Sequence, residues 1–423
     1  MITQRMYVRL FGEEMRTILH SDCNGFYASV ECLYHPDVRN KPVAVGGDAD
    51  KRHGIILAKN EIAKKYKIST GEAIWQAREK CPELVVIKPH FERYMRFSKM
   101  CRRIYADYTD CIEPFGLDEA WLDVTGNSMS GEAIAHEIRK RIKNELGITV
   151  SVGVSFNKIF AKLGSDYKKP DAVTVISREN FRDVVFPLDA GDLLYVGRST
   201  KRRLRTLGVH TIGELAAFPL PLLRANFGKW GDILYTFSNG LDASPVMHMD
   251  QTTAIQSIGN STTTPRDLVN NRDAEIIFTV LCDSVCRRLR EHGAKTREVA
   301  IYVRDNQLSS FTRQMKLSFD TDITCEVLQA AMELFRLNYG WDRPIRSLGV
   351  KVGRLSPASA PSQLSLLCNE EKRDKLSSLD RSLDVLKRRF GSFCVCPASL
   401  MYDTQLSSFS PKEEHTIHPV GYF

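Results

Sequence analysis

Three carboxylates stand out by type and setting. Asp22 ends a short apolar run, Thr17 to His20, and lies inside SDCNGFYASVE, residues 21 to 31. Asp118 and Glu119 are adjacent inside CIEPFGLDEAWLDVTG, residues 111 to 126. A carboxylate at the tip of a strand is well placed to hold a cation. Magnesium is a hard cation that takes oxygen ligands, often one or two carboxylates completed by substrate phosphates and water. Two such ions serve phosphoryl and nucleotidyl transfer, neutralising phosphates, orienting the attacking hydroxyl and stabilising the leaving oxygen. The backbone carbonyl of Cys23 is a further candidate oxygen. An adjacent Asp–Glu pair is commonly no more than a solvated turn. Here both sites fall where strands end or turn beside apolar runs, where solvated charge is not the default.

The elements that must position these groups follow from periodicity. A strand ends on Asp22 and a helix starts near Phe26. Residues 92 to 108 place Tyr94, Phe97, Met100, Cys101, Ile104 and Tyr105 at helical spacing. Residues 111 to 125 read as two strands bent around Gly116 to Asp118, and 132 to 146 as a helix. ITVSVGVS alternates, with Val150, Val152 and Val154 on one face, which predicts a half-buried strand. With residues 27 to 91 set aside as a basic insertion, the order is strand, helix, strand, strand, helix, strand. That is the ferredoxin-like arrangement, in which the first strand can lie beside the hairpin and bring Asp22 to Asp118 and Glu119.

Residues 166 to 240 read as short helices. Within them VGRSTKRRLRTLGVHTIGELA resembles a helix-hairpin-helix, with Arg198, Lys201, Arg202, Arg203 and Arg205 crowded at a turn that can offer amides to a phosphate. A plain helical hairpin with a solvated basic face is the alternative. Residues 241 to 252 read as a linker with few apolar anchors. The order then repeats over 253 to 355, with Arg304, Arg313, Lys316, Lys351 and Arg354 among alternating apolar residues. One face of that sheet can cover a helix core and the other can follow a nucleic-acid backbone. PASAPS, residues 357 to 362, predicts a flexible break, and residues 371 to 389 one more helix in the tail. Residues 1 to 15 and the last ten or so predict no defined structure.

The 423 residues allow two to four domains, and 43% hydrophobic with 26% charged residues is an ordinary globular composition. The net charge of +8 fits a polyanionic partner without requiring one. No run approaches the roughly 20 apolar residues of a membrane span, and no signal peptide is evident. The cysteines number eleven, an odd count without a C-x-x-C, which predicts buried free thiols in a reducing cytosol.

SDCNGFYASVE, FGLDEAWLD and GVSFNKIFAKLGSDYKKPD, in this order and spacing, resemble the signature motifs of the Y-family, or translesion, DNA polymerases, of the bacterial polymerase IV type. The resemblance spans residue 16 to about residue 400. It implies an α+β right-hand architecture: a ferredoxin-like palm (1–26 and 92–165), small fingers (27–91), a helix-hairpin-helix thumb (166–240), a linker (241–252), a second βαββαβ unit as little finger (253–355) and a tail (356–423). It makes Asp22, Asp118 and Glu119 the catalytic ligands of two magnesium ions, with the Cys23 carbonyl assisting and manganese able to substitute. Tyr27 falls on the steric gate, where an aromatic ring under the sugar leaves no room for a 2′-hydroxyl; the plain alternative is an amphipathic core residue. Phe26, Tyr27, Asn60, Lys64 and Lys158 are the expected nucleotide contacts. The family usually has a tyrosine and an arginine in the fingers where this chain has Glu61 and Lys64, and many relatives have an aspartate at Asn24, read here as supporting. Arg198, Lys201 and Arg202 in the thumb, and Arg304, Arg313, Lys316 and Arg354 in the second unit, are the expected DNA contacts.

QLSLL, Gln363 to Leu367, resembles the pentapeptide by which bacterial polymerases bind the sliding clamp, the β subunit of the replicase. Gln363 would hydrogen-bond at a pocket edge while Leu364, Leu366 and Leu367 fill an apolar cleft. The expected function is template-directed, distributive, low-fidelity DNA synthesis past damaged bases, using primer–template DNA and dNTPs, by a cytoplasmic monomer. Two other classes stay open: a non-catalytic DNA- and clamp-binding scaffold of polymerase ancestry, and a nucleotide cyclase. The intact carboxylate triad argues against the first, and the basic thumb and clamp-like tail against the second.

Overall fold

The structure, a computed structural model, describes residues 16–47, 54–251, 254–360 and 369–414. The clamp-like pentapeptide 363–367 and both chain ends lie outside them. The chain forms two compact units, meeting near residue 252 in sequence.

In the first unit β1 (Ile18–Cys23) is the centre of a five-stranded sheet. Around it stand β5 (Ile112–Pro114), β6 (Glu119–Asp123), β7 (Val150–Ser155) and β8 (Val173–Ile176), in the order β5-β6-β1-β7-β8. The first four strands make the antiparallel ferredoxin-like sheet the element order predicts. The fifth corrects the reading of 166–240 as helices alone: Val173–Ile176 pairs parallel to β7 and extends this sheet. Helix α1 (Phe26–Tyr34) leaves the tip of β1. A small three-stranded sheet follows, β2 (Val43–Gly46), β3 (Ile56–Lys59) and β4 (Val85–Ile87), with α2 (Glu61–Lys65) and α3 (Ile74–Lys80).

Two further helices, α4 (Phe91–Ala106) and α5 (Gly131–Arg141), cover one face of the large sheet, joining Tyr94, Phe97, Ile104, Ile134 and Ile138 to Leu19, Leu122 and Val152. Helix α6 (Lys158–Tyr167) covers the other face. That second cover is why β7 is buried along its whole length and not half-buried: Ser151, Gly153 and Ser155 face α6. A Cβ at Gly153 would lie 1.9 Å from the Ala161 carbonyl oxygen, so only glycine lets the helix ride this close.

Short helices complete the unit: α7 (Phe181–Val185), α8 (Arg198–Thr206), α9 (Ile212–Ala217), α10 (Leu220–Phe227) and α11 (Lys229–Ser238). The expected linker is anchored. Val246 is buried with Ile18, Trp121 and Ala161, and the amides of Met247 and Met249 donate to the Glu113 carboxylate and the Asp110 carbonyl.

The second unit has β9 (Ser257–Leu268), α12 (Asn271–Glu291), β10 (Ala294–Asp305), β11 (Ser310–Thr321), α13 (Thr324–Asn338) and β12 (Ile345–Pro357). The repeated element order holds, but the sheet order is β11-β10-β12-β9. Its first strand is therefore at an edge, whereas β1 is central. The tail is also more than a loose end. Helix α14 (Glu370–Phe390) docks by ionic contacts, Arg290–Asp384 at 2.6 Å and Lys387–Asp283 at 2.7 Å. Leu406, in α15 (Thr404–Ser407), is wholly buried in the core of this unit. Leu406→Ala is expected to destabilise the second unit by about 2–5 kcal/mol, the usual cost of a buried leucine deletion. Denaturant melting would show it; an unchanged midpoint would mean the tail contributes no core.

All described cysteines are free. Cys325, Cys394 and Cys396 are exposed, against the expectation that the thiols are buried.

Candidate active site

Residues directly opposite on neighbouring strands share a face. Asp22 stands opposite Glu119 and His20 opposite Trp121, so all four lie on the α6 face of the sheet. Asp118 occupies the turn before β6, and the Cys23 amide donates to its carbonyl at 2.9 Å, pinning the strand tip to the hairpin. The chain leaves that tip through Gly25, with φ at +52°; a Cβ there would lie 2.8 Å from the Lys59 carbonyl oxygen. Asn24 turns inward, donating to Ser151 Oγ (3.0 Å) and accepting from Thr149 Oγ1 (3.1 Å) and the Asp171 amide (2.9 Å).

Two lysines converge on the carboxylates. Lys162 Nζ lies 2.6 Å from Glu119 Oε2 and 3.4 Å from Asp22 Oδ2. Lys169 Nζ lies 2.8 Å from Asp22 Oδ2 and 2.7 Å from Asp166 Oδ1. Burial and the Asp22 charge push the Asp118 carboxyl up to about 6. Burial pushes Glu119 up to about 7, with Asp22 and Asp118 adding to the rise and Lys162 opposing it. Burial draws the Lys162 ammonium down, but Glu119 and Asp22 outweigh it and hold it above the usual lysine range. His20 is fully buried, Nδ1 2.8 Å from Ser165 Oγ and Nε2 3.4 Å from Glu119 Oε2. Burial, with Lys162, Lys169 and Lys158, holds it well below the ordinary histidine range and so neutral.

This is a cluster with more negative charge than its burial tolerates, bridged by an ammonium between Asp22 and Glu119. Among the described residues no three acidic, histidine or cysteine groups are gathered closely enough to hold a metal ion, and lysine ammonium groups lie against Asp22 and Glu119. An oxygen-rich, open-sided set fits magnesium, which commonly keeps positions for substrate phosphates and water.

Several expected contacts are placed elsewhere. Lys158 pairs with Glu113 at 2.6 Å, over the Trp121 ring, one helical turn short of the carboxylates. That turn is about 5.4 Å, and Lys162, four residues on, makes the contact instead. The i+4 spacing of Lys158 and Lys162 inside NKIFAK is the sequence signal that points to Lys162, and Lys169 and His20 carry none as clear. Asn60 caps α2, accepts from the Val43 and Ala63 amides and donates to Lys41, so its side chain is committed to the fold. Phe26 is buried in the core and cannot present its ring to a nucleotide. Lys64 sits 3.7 Å from Glu61 in an exposed pair, the kind worth little. Tyr27 stacks on Tyr94, centroids 4.2 Å apart and planes within 13°.

In the thumb region Arg198 and Arg202 are exposed, while Lys201 is held by Asp189 at 2.9 Å and is not a free cation. In the second unit Val299, Ile301 and Val303 face the helix layer. Arg304 and Lys351 alternate with these core residues, and Lys316 stands opposite Glu298, so all three are on the open face. Arg354 reaches the same face, 3.2 Å from Glu298. Arg313 does not: it is opposite Ile301 and donates to Asn338 of α13, so it belongs to the helix side.

A carboxylate rim on a ferredoxin-like sheet is an arrangement that two-metal nucleotidyl transfer can use, and comparison with known proteins gives the class. Residues 21–166 match the impB/mucB/samB family, 255–366 its C-terminal domain, and 191–242 the DNA polymerase-iota thumb domain. DNA polymerase IV of Acetivibrio thermocellus is 51% identical over 395 residues, covering 93% of this chain and 99% of that protein. DNA polymerase IV 2 of Bacillus subtilis is 35% identical over 395 residues, covering 91% and 94%. A solved Y-family DNA polymerase chimera superposes with a TM-score of 0.71 at 23% identity, over 80% of this chain and 98% of that one. The chain belongs to the impB/mucB/samB family, the Y-family translesion DNA polymerases.

Proposed function

We propose that this polymerase is distributive and of low fidelity, and adds dNTPs to a primer 3′ end opposite damaged as well as intact template bases. Asp22, Asp118, Glu119 and the Cys23 carbonyl would hold two magnesium ions, or manganese in their place. When bound, the ions neutralise the triphosphate and favour the primer 3′-oxygen as nucleophile. The observation that carries this reading is the Lys162 ammonium bridging Asp22 and Glu119: the site already binds positive charge between strand tips. Lys162 and Lys169 are the cations beside that site, placed to turn from carboxylate to phosphate. Tyr27 backs the sugar. Arg198 and Arg202, with Arg304, Lys316, Lys351 and Arg354, follow the DNA backbone.

The test is primer extension by the purified chain on undamaged and lesion-bearing templates. Template-directed products in short steps are expected; DNA binding without extension would leave the scaffold reading. Lys169→Ala should raise the dNTP KM by about tenfold, the loss of one charge-assisted phosphate contact. Steady-state single-nucleotide kinetics would show it, and an unchanged KM would remove Lys169 from the triphosphate.

We also propose that Gln363, Leu364, Leu366 and Leu367 dock on a sliding clamp and that the enzyme works as a cytoplasmic monomer. Tethering would raise its local concentration at the primer end. Alanine at Gln363 and Leu366 should abolish clamp pull-down and spare unassisted synthesis; retained pull-down would refute the motif.

A further inference from the structure

The helix that carries Tyr27 also carries Glu31, one turn further along. Its side chain is wholly buried, and it is not part of the metal-binding cluster. A buried carboxylate is costly unless paired and hydrogen-bonded, and this one is saturated. Oε1 accepts from the Tyr94 hydroxyl (2.7 Å) and lies 3.0 Å from His90 Nδ1. Oε2 accepts from Arg93 (2.8 Å) and stands 3.8 Å from His35 Nε2. The Arg93 guanidinium is itself placed, 4.2 Å from the centre of the Tyr34 ring.

The consequence runs outward through Tyr94. Its hydroxyl is committed twice, donating to Glu31 and accepting from the His90 amide at 3.1 Å. The residue is fully buried and cannot swing aside. Its ring lies flat against the ring of Tyr27, and Phe91 meets both edge-on, at 5.9 Å from Tyr27 and 5.6 Å from Tyr94. Tyr27 itself is only partly buried. One face of the gate ring thus rests on a ring whose far end is fastened to a buried anion.

We propose that Glu31 is a positioning residue for sugar selection, setting the depth of the Tyr27 ring through Tyr94. This rests on the reading of Tyr27 as the steric gate. Steric exclusion of a single hydroxyl is a matter of about an ångström, a displacement that can alter rates by orders of magnitude. A gate free to retreat that far would admit a ribose.

The test is single-nucleotide incorporation of dNTP and rNTP by the full chain, comparing parent, Tyr94→Phe, Glu31→Gln, Glu31→Leu and Tyr27→Ala. Tyr94→Phe keeps the ring and its stack and removes the hydroxyl with both its links, to Glu31 and to the His90 amide, whereas the Glu31 variants leave the His90 link in place. It should lower the dNTP-over-rNTP ratio of kcat/KM by about tenfold, through a lower ribonucleotide KM. Glu31→Gln retains an acceptor for the Tyr94 hydroxyl and should keep more of the selectivity than Glu31→Leu. Glu31→Leu combined with Tyr94→Phe should lose no more than Tyr94→Phe alone, because both cut the Glu31–Tyr94 link. If Glu31→Leu does not fold, Tyr94→Phe decides. An unchanged ratio in Tyr94→Phe, with Tyr27→Ala relaxed, would overturn the role of Glu31 and leave the gate standing. Equal proportional losses for both sugars would mark the network as purely structural and overturn it too. No relaxation in Tyr27→Ala would remove the gate, and this inference with it.

Discussion

Asp118→Asn is expected to lower primer extension by about a thousandfold or more, while DNA binding stays within about twofold. The size follows from position. Losing an outer-shell partner of a metal site typically costs about 10- to 100-fold, and Asp118 is in the inner cluster. Asparagine keeps the shape of the side chain and removes the charge that would hold the cation. The variant should fold well. Burial and Asp22 raise the Asp118 carboxyl from the ordinary range to about 6. The stability such a group contributes is present below its unfolded pKa of about 3.9 and is lost as pH rises through about 6. At pH 8 the ionised aspartate is therefore a burden that asparagine lacks, and the variant should melt no lower than the parent. Primer extension, fluorescence anisotropy with primer–template DNA and thermal melting at pH 8 together decide. Extension within about tenfold of the parent would sink the metal assignment. A lower melting point with lost DNA binding would mean the residue is structural.

Tyr27→Ala is expected to collapse discrimination against ribonucleotides, by on the order of a hundredfold. One methylene in a pocket is worth about 10- to 200-fold in specificity, and here a whole ring is removed. The effect should be steric and not ionic. Burial and the neighbouring Asp118 push the Tyr27 phenol up to about 12, so it stays protonated across the working pH range. Tyr27→Phe should accordingly keep the gate, and the selectivity of the parent should be flat between about pH 7 and 9. Competition between a dNTP and its ribo-counterpart on a running-start primer would measure both variants. Selectivity unchanged in the alanine variant would return Tyr27 to an ordinary core position.

Lys158 was the natural candidate for the triphosphate because it stands in the third motif, at a helix start. Helical register sends it to Glu113 and Trp121 and gives the carboxylates to Lys162 and, beyond the helix, Lys169. Asn60 is among the expected nucleotide contacts, yet three backbone partners consume its side chain. Arg313 lies between Thr312 and Gln314, in phase with Phe311, Met315 and Leu317, and goes to the helix side with them, whereas Lys316 lies between Met315 and Leu317 and faces out. Val173–Ile176 is a four-residue β-branched run amid helices, and pairing along β7 makes it the fifth strand.

What the linear chain determined was the chemistry and the element order: three carboxylates at strand tips, a ring one helix start away, and two βαββαβ runs. These rest on local signals, since residue type, period and turn composition act over a few neighbours. What only the tertiary structure decided was which groups meet. Strand register set Asp22 against Glu119. The close ride of α6 over Gly153 delivered Lys162. The burial of Glu31 with Arg93 fastened Tyr94 behind Tyr27. Each joins residues far apart in sequence, and no spacing along the chain encodes which distant groups meet.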